Sequence, residues 1–226
     1  MRMTEPAIGG RRRASYIETM ETQSPTRISG HSLASWQRRA AALALLGLAV
    51  GWPGLSATAD QNDPRLDGLF AELKRTASMS EAETIIAEIW LRWTAFDAES
   101  ASDTRASSLM SAGMQMMREG RLGAAEKIFT ELVSTHPDHA EAWNKRATVR
   151  FMRGNDSGSR SDIARVIELE PRHFGALSGL GMINVRSGDM AGALQAFEAA
   201  LRVNPHMPQA AGMVTKLRKQ LRGQAL

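Results

Sequence analysis

A proline that recurs every 34 residues constrains the fold of this chain more than any other feature of its sequence. The three prolines are Pro137, Pro171 and Pro205. A fixed period of roughly 20 to 50 residues is typical of an array in which one small structural unit is repeated. The prolines divide this region into three blocks, which span 106–139, 140–173 and 174–207.

Five other positions of the blocks recur with the same 34-residue period. The fifteenth residue is always glycine, the eighth and twentieth are small, and the fourth and twenty-fourth are large and apolar. In that order, these residues are Gly120, Gly154 and Gly188; Gly113, Ala147 and Gly181; Ala125, Ser159 and Ala193; Leu109, Trp143 and Leu177; and Phe129, Ile163 and Phe197. Glycine lets the backbone leave a first helix, small residues let two helices approach closely, and proline ends a second helix. Each block is therefore predicted to be a helical hairpin that buries its apolar face only against its neighbours.

The block pattern resembles that of the tetratricopeptide repeat (TPR), which runs W-x2-L-G-x2-Y, then A-x3-F, then P. The resemblance covers all three blocks. It implies an all-α fold, a TPR helical-hairpin solenoid wound into a right-handed superhelix. The aromatic content of 5% agrees with helices that pack through small residues. The chain is also similar to small exported TPR proteins of proteobacteria.

The segments on either side of the blocks are predicted to cap the array. Residues 60–105 are expected to form an N-terminal helical hairpin and linker, with a second helix that starts at Ser80 and places Ile86, Ile89, Trp90 and Trp93 on one face. We expect this degenerate hairpin to cap the N-terminal end of the solenoid. Residues 208–226 are expected to form a C-terminal capping helix rich in Lys and Arg.

The first 59 residues have the layout of a signal peptide with a long basic leader. A basic segment ends at Arg38-Arg39, an uncharged run follows over 40–50, and the small-x-small triplet Ala57-Thr58-Ala59 precedes Asp60. The uncharged run is shorter than the roughly 20 residues that a membrane-spanning helix needs. We expect export to the periplasm with cleavage between Ala59 and Asp60, translation starting at Met1 or Met20, and no stable membrane span in the mature form.

The positive net charge of the chain belongs to this leader. The chain has 28 Lys and Arg and 24 Asp and Glu, of which the leader holds seven basic and three acidic residues. The remainder therefore has 21 basic and 21 acidic residues and is formally neutral. After Asp60 there is no basic stripe interleaved with aromatic residues, and no nucleic-acid partner is predicted.

The sequence predicts no catalytic residue, no cofactor and no metal. It has no cysteine, no H-E-x-x-H, no phosphate-binding G-x-x-x-x-G-K-[ST] and no G-x-S-x-G. Four histidines follow the leader, and all lie next to the block-ending prolines, where we expect turn residues and not metal ligands. They are His136, His139, His173 and His206.

The resemblance implies that one face of each first helix lines the concave groove of the superhelix. Block by block, that face holds Met110, Met114, Met117 and Arg118; Asn144, Thr148, Phe151 and Met152; and Ser178, Met182, Val185 and Arg186. Such a soft, apolar groove suits an extended segment or a helix of a protein partner. It is open unless the N-terminal hairpin or the C-terminal helix folds into it.

The groove lacks the residues of one well-known TPR binding site. TPR domains that grip the acidic C-termini of chaperones resemble one another in a lysine and asparagine of the first block and a lysine and arginine of the third. Here those places hold Met110, Met114, Gly175 and Gly179, so no carboxylate clamp is expected.

The middle block has arginine at its seventh and eleventh positions, Arg146 and Arg150, which are normally apolar. One interpretation is that they bind a partner. We favour a structural role, in which the stems pack and the guanidiniums reach solvent or an acid such as Asp162, because these positions face the paired helix.

The sequence thus predicts a non-catalytic periplasmic scaffold or adaptor that binds another cell-envelope protein through its concave groove. Two alternatives stay open. One is a membrane-tethered adaptor with an uncleaved signal anchor, and the other is an accessory subunit of an envelope enzyme complex. The resemblance does not identify the partner or the oligomeric state.

Overall fold

A computed structural model of the chain describes residues 60–96 and 101–224. The predicted signal peptide lies outside these residues. The described part contains nine α-helices and no strand, and it belongs to one unit, Ser56–Leu226. In chain order the helices are α1 (Arg65–Arg75), α2 (Met79–Thr94), α3 (Ala101–Arg118), α4 (Leu122–Thr135), α5 (Ala140–Met152), α6 (Asp156–Leu169), α7 (Phe174–Ser187), α8 (Met190–Val203) and α9 (Pro208–Gln224).

Each predicted block is one helical hairpin, and its glycine ends the first helix as expected. Gly154 adopts a φ of 81°, a left-handed conformation that favours glycine. This turn lets the Asn155 N–H donate to the Arg150 carbonyl oxygen at 2.8 Å. The bond satisfies one of the carbonyl groups that the end of α5 would otherwise leave unpaired. The corresponding glycines of the other two blocks, Gly120 and Gly188, have φ values of 70° and 83°.

Small residues at the eighth position bring the two helices of a block close together. A Cβ atom on Gly181 would lie 2.8 Å from the ring of Phe197, and one on Gly113 would lie 2.5 Å from the ring of Phe129. Both rings are buried in the core. The large residue at the twenty-fourth position therefore fills the space that the small residue leaves.

The hairpins stack in order along the chain. The second helix of one block packs on the first helix of the next, α4 on α5 and α6 on α7, and α9 packs on α8. First helices also contact one another, α3 with α5 and α5 with α7. Contact between successive first helices places them on the inner side of the curved array, as in other helical-hairpin solenoids.

The two arginines of the middle block have the predicted structural role. Arg146 donates from Nε and Nη2 to the carboxylate of Asp162 at 2.9 and 2.7 Å. Arg150 donates from Nη1 to both oxygens of the same carboxylate at 2.9 Å and from Nε to Glu126 at 3.1 Å. Because Asp162 is 1% exposed, this is a buried charge network between α5 and α6.

The N-terminal hairpin lies elsewhere than the sequence analysis predicted. α2 packs against α5 in the middle of the array, and its core includes Phe174 at the start of α7. The hairpin thus lies across the second and third blocks and does not stack on the end of the first. Its position depends on aromatic packing that a block pattern does not encode.

Two boundaries near this hairpin also differ from the prediction. α2 begins at Met79 because Ser78, and not Ser80, caps it, with the Ser78 Oγ accepting from the Glu81 N–H at 3.3 Å. The buried face of α2 accordingly includes Ile85, while Ile86 is half-buried. Residues 101–105, assigned to a linker, are the first turn of α3; residues 97–100 lie outside the described residues.

Within residues 60–96 and 101–224, every helix is too short or too polar to cross a membrane.

Candidate functional site

The structure corrects the predicted groove at two residues. Met110 is 2% exposed and belongs to the core cluster that contains Phe129 and Ala142. Asn144 is 7% exposed, and its Nδ2 donates to the Glu141 carboxylate at 2.9 Å. Both residues hold the fifth position of their block, which packs inside the array in the first two blocks, so neither side chain is available to a partner.

The other predicted groove residues form a surface that we call the open groove. It runs over the C-terminal halves of α3 and α5 and along α7. Its members are the half-buried Met114, Met117, Thr148, Phe151, Met152, Ser178, Met182 and Val185, together with the exposed Arg118 and Arg186. Met114, Met117 and Met182 pack against the core with part of their surface and leave the rest exposed to a partner.

Arg186 is fixed within the open groove by bonds inside the chain. Its Nε donates to the Asp156 carboxylate at 2.6 Å, and its Nη1 donates to the Phe151 carbonyl oxygen at 3.1 Å. The guanidinium carbon lies 3.6 Å from the centre of the Phe151 ring, a cation–π contact. Arg186 therefore links α7 to the second block and forms a rigid part of the groove wall.

The N-terminal hairpin covers the first turns of α5 and α7, next to the open groove. Trp93 is 1% exposed and stacks on His173 with ring centres 4.1 Å apart and planes 9° apart. Trp90 lies so close to Gly175 that a Cβ atom there would be 2.8 Å from its ring. The Nζ of Lys145 lies 5.4 Å from the centre of the Trp90 ring. The sequence left open whether a terminal helix covers the groove, and the structure shows that α2 covers this end.

A buried carboxylate lies beneath this cover. Glu141 is 0% exposed, pairs with the Nζ of Lys145 at 2.8 Å and accepts from the Nε2 of His173 at 2.8 Å. Burial alone would raise the pKa of Glu141, but the charge of Lys145 and the hydrogen bond from His173 outweigh it and lower the pKa to about 2. Glu141 is thus a carboxylate at neutral pH and has no proton to donate.

The turn histidines attach the hairpin to the array. His139 and His173 precede successive first helices and cap them, since their Nδ1 atoms accept from the N–H groups of Ala142 and Ala176 at 3.3 and 3.1 Å. The Nδ1 acceptor role puts the ring hydrogen on Nε2. His139 uses that Nε2–H to donate to the Ala95 carbonyl oxygen, just after α2, at 3.0 Å.

His206 bonds in the same way at the next turn, where its Nε2 lies 3.1 Å from the Leu73 carbonyl oxygen of α1. Burial lowers the pKa of His139, which favours the neutral ring that its Nδ1 acceptor role requires. The histidines lie in turns, as predicted, but their role in docking the hairpin was not predicted from the sequence. The only sequence feature that indicated this role was the recurrence of histidine, as His139 and His173, at the last position of two blocks.

The described residues hold no cluster of metal ligands, and one surface depression lies beside the ionic network. No group of three or more His, Asp or Glu side chains in residues 60–96 and 101–224 is placed to hold a metal ion. A depression of about 450 Å³ lies against α4, between Gly123, Glu126, Lys127, Thr130 and Arg153. Burial alone would raise the pKa of Glu126, but the hydrogen bonds from Arg150 and Arg153 lower it, so this acid belongs to the ionic network.

Comparisons with known proteins agree with this architecture. The family model described as tetratricopeptide repeat matches residues 116–165 and 157–208. A TPR repeat-containing protein of Rhizobium etli is 40% identical over 159 residues, which is 70% of this chain and 76% of the relative.

Solved structures show the same fold at low identity. The first TPR domain of Spaghetti (RPAP3), bound to an HSP90 peptide, is 19% identical with a TM-score of 0.51, and the match covers 53% of this chain and 94% of that one. MamA is 18% identical with a TM-score of 0.50, covering 70% of this chain and 82% of that one. The predicted all-α TPR solenoid is confirmed. With a relative this similar over most of its length, the chain belongs to the tetratricopeptide-repeat family.

Proposed function

We propose that this protein is a non-catalytic periplasmic adaptor that binds another cell-envelope protein through the open groove. TPR domains act in protein–protein interaction, and their concave surfaces are the usual place of contact. The observation that carries the proposal is the row of half-buried methionines on neighbouring first helices. Flexible thioether side chains adapt to different apolar partners, and their part exposure leaves apolar area to bury on binding.

The covering hairpin determines where a partner lies. The N-terminal hairpin packs on the start of α7 through Trp90 and bonds to His139 just before α5, so a bound segment crosses the C-terminal halves of the first helices. The partner is an extended segment or a helix, whose side chains contact Met114, Met117 and Met182 in turn.

Charge reversal in the groove tests this function. We expect the triple variant Met114→Glu, Met117→Glu, Met182→Glu to lose partner binding, because it replaces apolar contacts with carboxylates that would be desolvated. Helix content should be retained, since all three residues are half-buried. The measurement is photo-crosslinking in cells from a reactive side chain at Thr148, which lies in the open groove, with mass spectrometry of the adducts.

Two controls accompany this experiment. A crosslinker at Lys127, on the second helix of the first block, should give none of the groove adducts, and the exposed-face variant Leu91→Glu should leave them unchanged. The same adducts from Lys127 as from Thr148, or adducts that survive the triple variant, would contradict groove binding.

Export is a separate part of the proposal and has its own test. Support for it comes from the basic leader, the uncharged run over 40–50 and the triplet before Asp60. We expect the native protein in the periplasmic fraction to begin at Asp60, as read from its intact mass and N-terminal sequence. A leader retained in the membrane fraction would make the protein a tethered adaptor, and a leader retained in the cytosol would contradict an envelope function.

A further inference from the structure

Helix α9 takes the place in the array that the first helix of a fourth block would take. Its buried residues are Ala210, Val214 and Leu217, and they join the core cluster of α8. They take the third, seventh and tenth positions of a block that would start at 208. The residues at these three positions of α5 are buried as well. α9 therefore presents the same faces as α5 does.

This register places two lysines on the groove face of α9. Lys216 and Lys219 take the ninth and twelfth positions, which Met182 and Val185 hold on α7, and both lysines are exposed. Met182 and Val185 pack against the cluster that includes Val214 and Leu217, so the wall of the open groove adjoins α9. The concave surface thus changes from apolar to basic at its C-terminal end.

The charge on this surface is of one sign. Across α3, α5, α7 and α9, the fifth, ninth, twelfth and thirteenth positions hold no Asp or Glu. Residues 208–226 contain Lys216, Arg218, Lys219 and Arg222 and no acid. In the part of the chain that the structure describes, Arg218 of α9 pairs with Glu198 of α8, whereas neither Lys216 nor Lys219 forms an ion pair. The two lysines, together with the exposed Arg118 of α3, are cations of the groove face that a ligand can reach.

We propose that the open groove continues onto α9 and selects a protein segment that combines apolar with acidic side chains. Its apolar side chains lie on the methionines, and its carboxylates bind Lys216 and Lys219. This inference rests on the proposed groove function and names the chemistry of the partner. The lysines stand outside the clamp positions, where this chain has methionine and glycine.

The two halves of the surface have different physical roles. Burial of apolar area on Met114, Met117 and Met182 supplies most of the affinity. Exposed lysines at the end of the groove attract an acidic segment, speed its association and repel a basic one, so they set selectivity more than strength. Because residues 60–226 are formally neutral, this preference comes from the local surface and not from net charge.

Labelled peptides of about ten residues test the proposal, with fluorescence anisotropy as the readout. The probes alternate leucine with glutamate, with glutamine or with lysine, and the protein is the chain from Asp60. We expect the glutamate peptide to bind about tenfold more tightly than the glutamine peptide at low salt, and the difference to shrink as salt screens the charges. The lysine peptide should bind most weakly.

Matched charge variants locate the effect. The double variant Lys216→Glu, Lys219→Glu should abolish or reverse the preference for the glutamate peptide. The control Lys74→Glu, Lys127→Glu makes the same change in net charge on exposed sites away from the groove, and it should leave that preference unchanged. Met114→Glu with Met182→Glu should weaken binding of all three peptides.

The outcomes separate this inference from the proposed function. If the glutamate and glutamine peptides bind equally and the methionine variants weaken both, the acidic preference is overturned and the proposed binding in the groove is retained. If no peptide binds, or if the methionine variants do not weaken binding, both this inference and the proposed binding in the groove fail. Binding of anionic phospholipid vesicles that the lysine reversals abolish, without a peptide preference, would replace the protein partner with a lipid surface.

Discussion

Replacing Asp162 with alanine is expected to lower the free energy of unfolding by about 3 to 5 kcal/mol. The Asp162 carboxylate is 1% exposed and accepts four hydrogen bonds, two from Arg146 and two from Arg150. Arg146 is itself 8% exposed, so the variant leaves a buried guanidinium without its counter-ion. The loss therefore comes mainly from an uncompensated buried charge, which costs more than a broken surface contact.

Chemical denaturation of the chain from Asp60 measures this change. The matched control is Glu168→Ala, which removes an acid of the same helix that is 65% exposed and pairs with Arg165. Its effect should stay within about 1 kcal/mol, because exposed ion pairs stabilise little. A similar loss from both variants would show that Asp162 does not compensate a buried charge.

A third variant distinguishes the charge from the packing. Replacing Arg146 and Arg150 with methionine and Asp162 with leucine removes all three charges and keeps apolar bulk between α5 and α6. We expect stability close to that of the parent chain, since buried ion networks are often replaceable by apolar residues. A loss as large as that of Asp162→Ala would mean that the network is needed for reasons other than charge compensation.

The repeat architecture could be predicted from the sequence because each repeated position has a local mechanical reason. Gly154 turns the chain, Gly181 admits the ring of Phe197, and Pro171 ends a helix, and these requirements recur with the same period. The pairing of Arg146 with Asp162 was predictable for the same reason, since the block pattern places both on facing sides of one hairpin.

The docking of the N-terminal hairpin could not be predicted in this way. Its contacts join residues far apart in sequence, such as Arg172 with Asp67 at 2.5 Å and His206 with Leu73 at 3.1 Å, and they follow no period. They depend on the tertiary position of turns that look alike in sequence. The burial of Met110 and Asn144 was missed because the family pattern assigns positions to a groove without regard to what packs on them in this chain.

Replacing Trp93 with alanine is expected to detach the hairpin from the array and to cost about 3 to 5 kcal/mol locally. Trp93 is 1% exposed, stacks on His173 and contacts Phe70, Trp90 and Phe174. It thus joins both helices of the hairpin to the turn before α7. We expect amide hydrogen exchange to accelerate in α1 and α2, while α4 to α8 keep their protection.

The selectivity of that change is the informative result. Repeat arrays are stabilised by contacts between neighbouring hairpins, so the blocks do not need the covering hairpin for their own cores. The control Leu91→Ala alters a residue of the same helix that is 60% exposed, and it should leave exchange unchanged. If exchange instead accelerates evenly from α1 to α9, the hairpin is part of one cooperative core. If only α1 and α2 lose protection, it is a docked cover, and its release would expose the first turns of α5 and α7 and lengthen the groove.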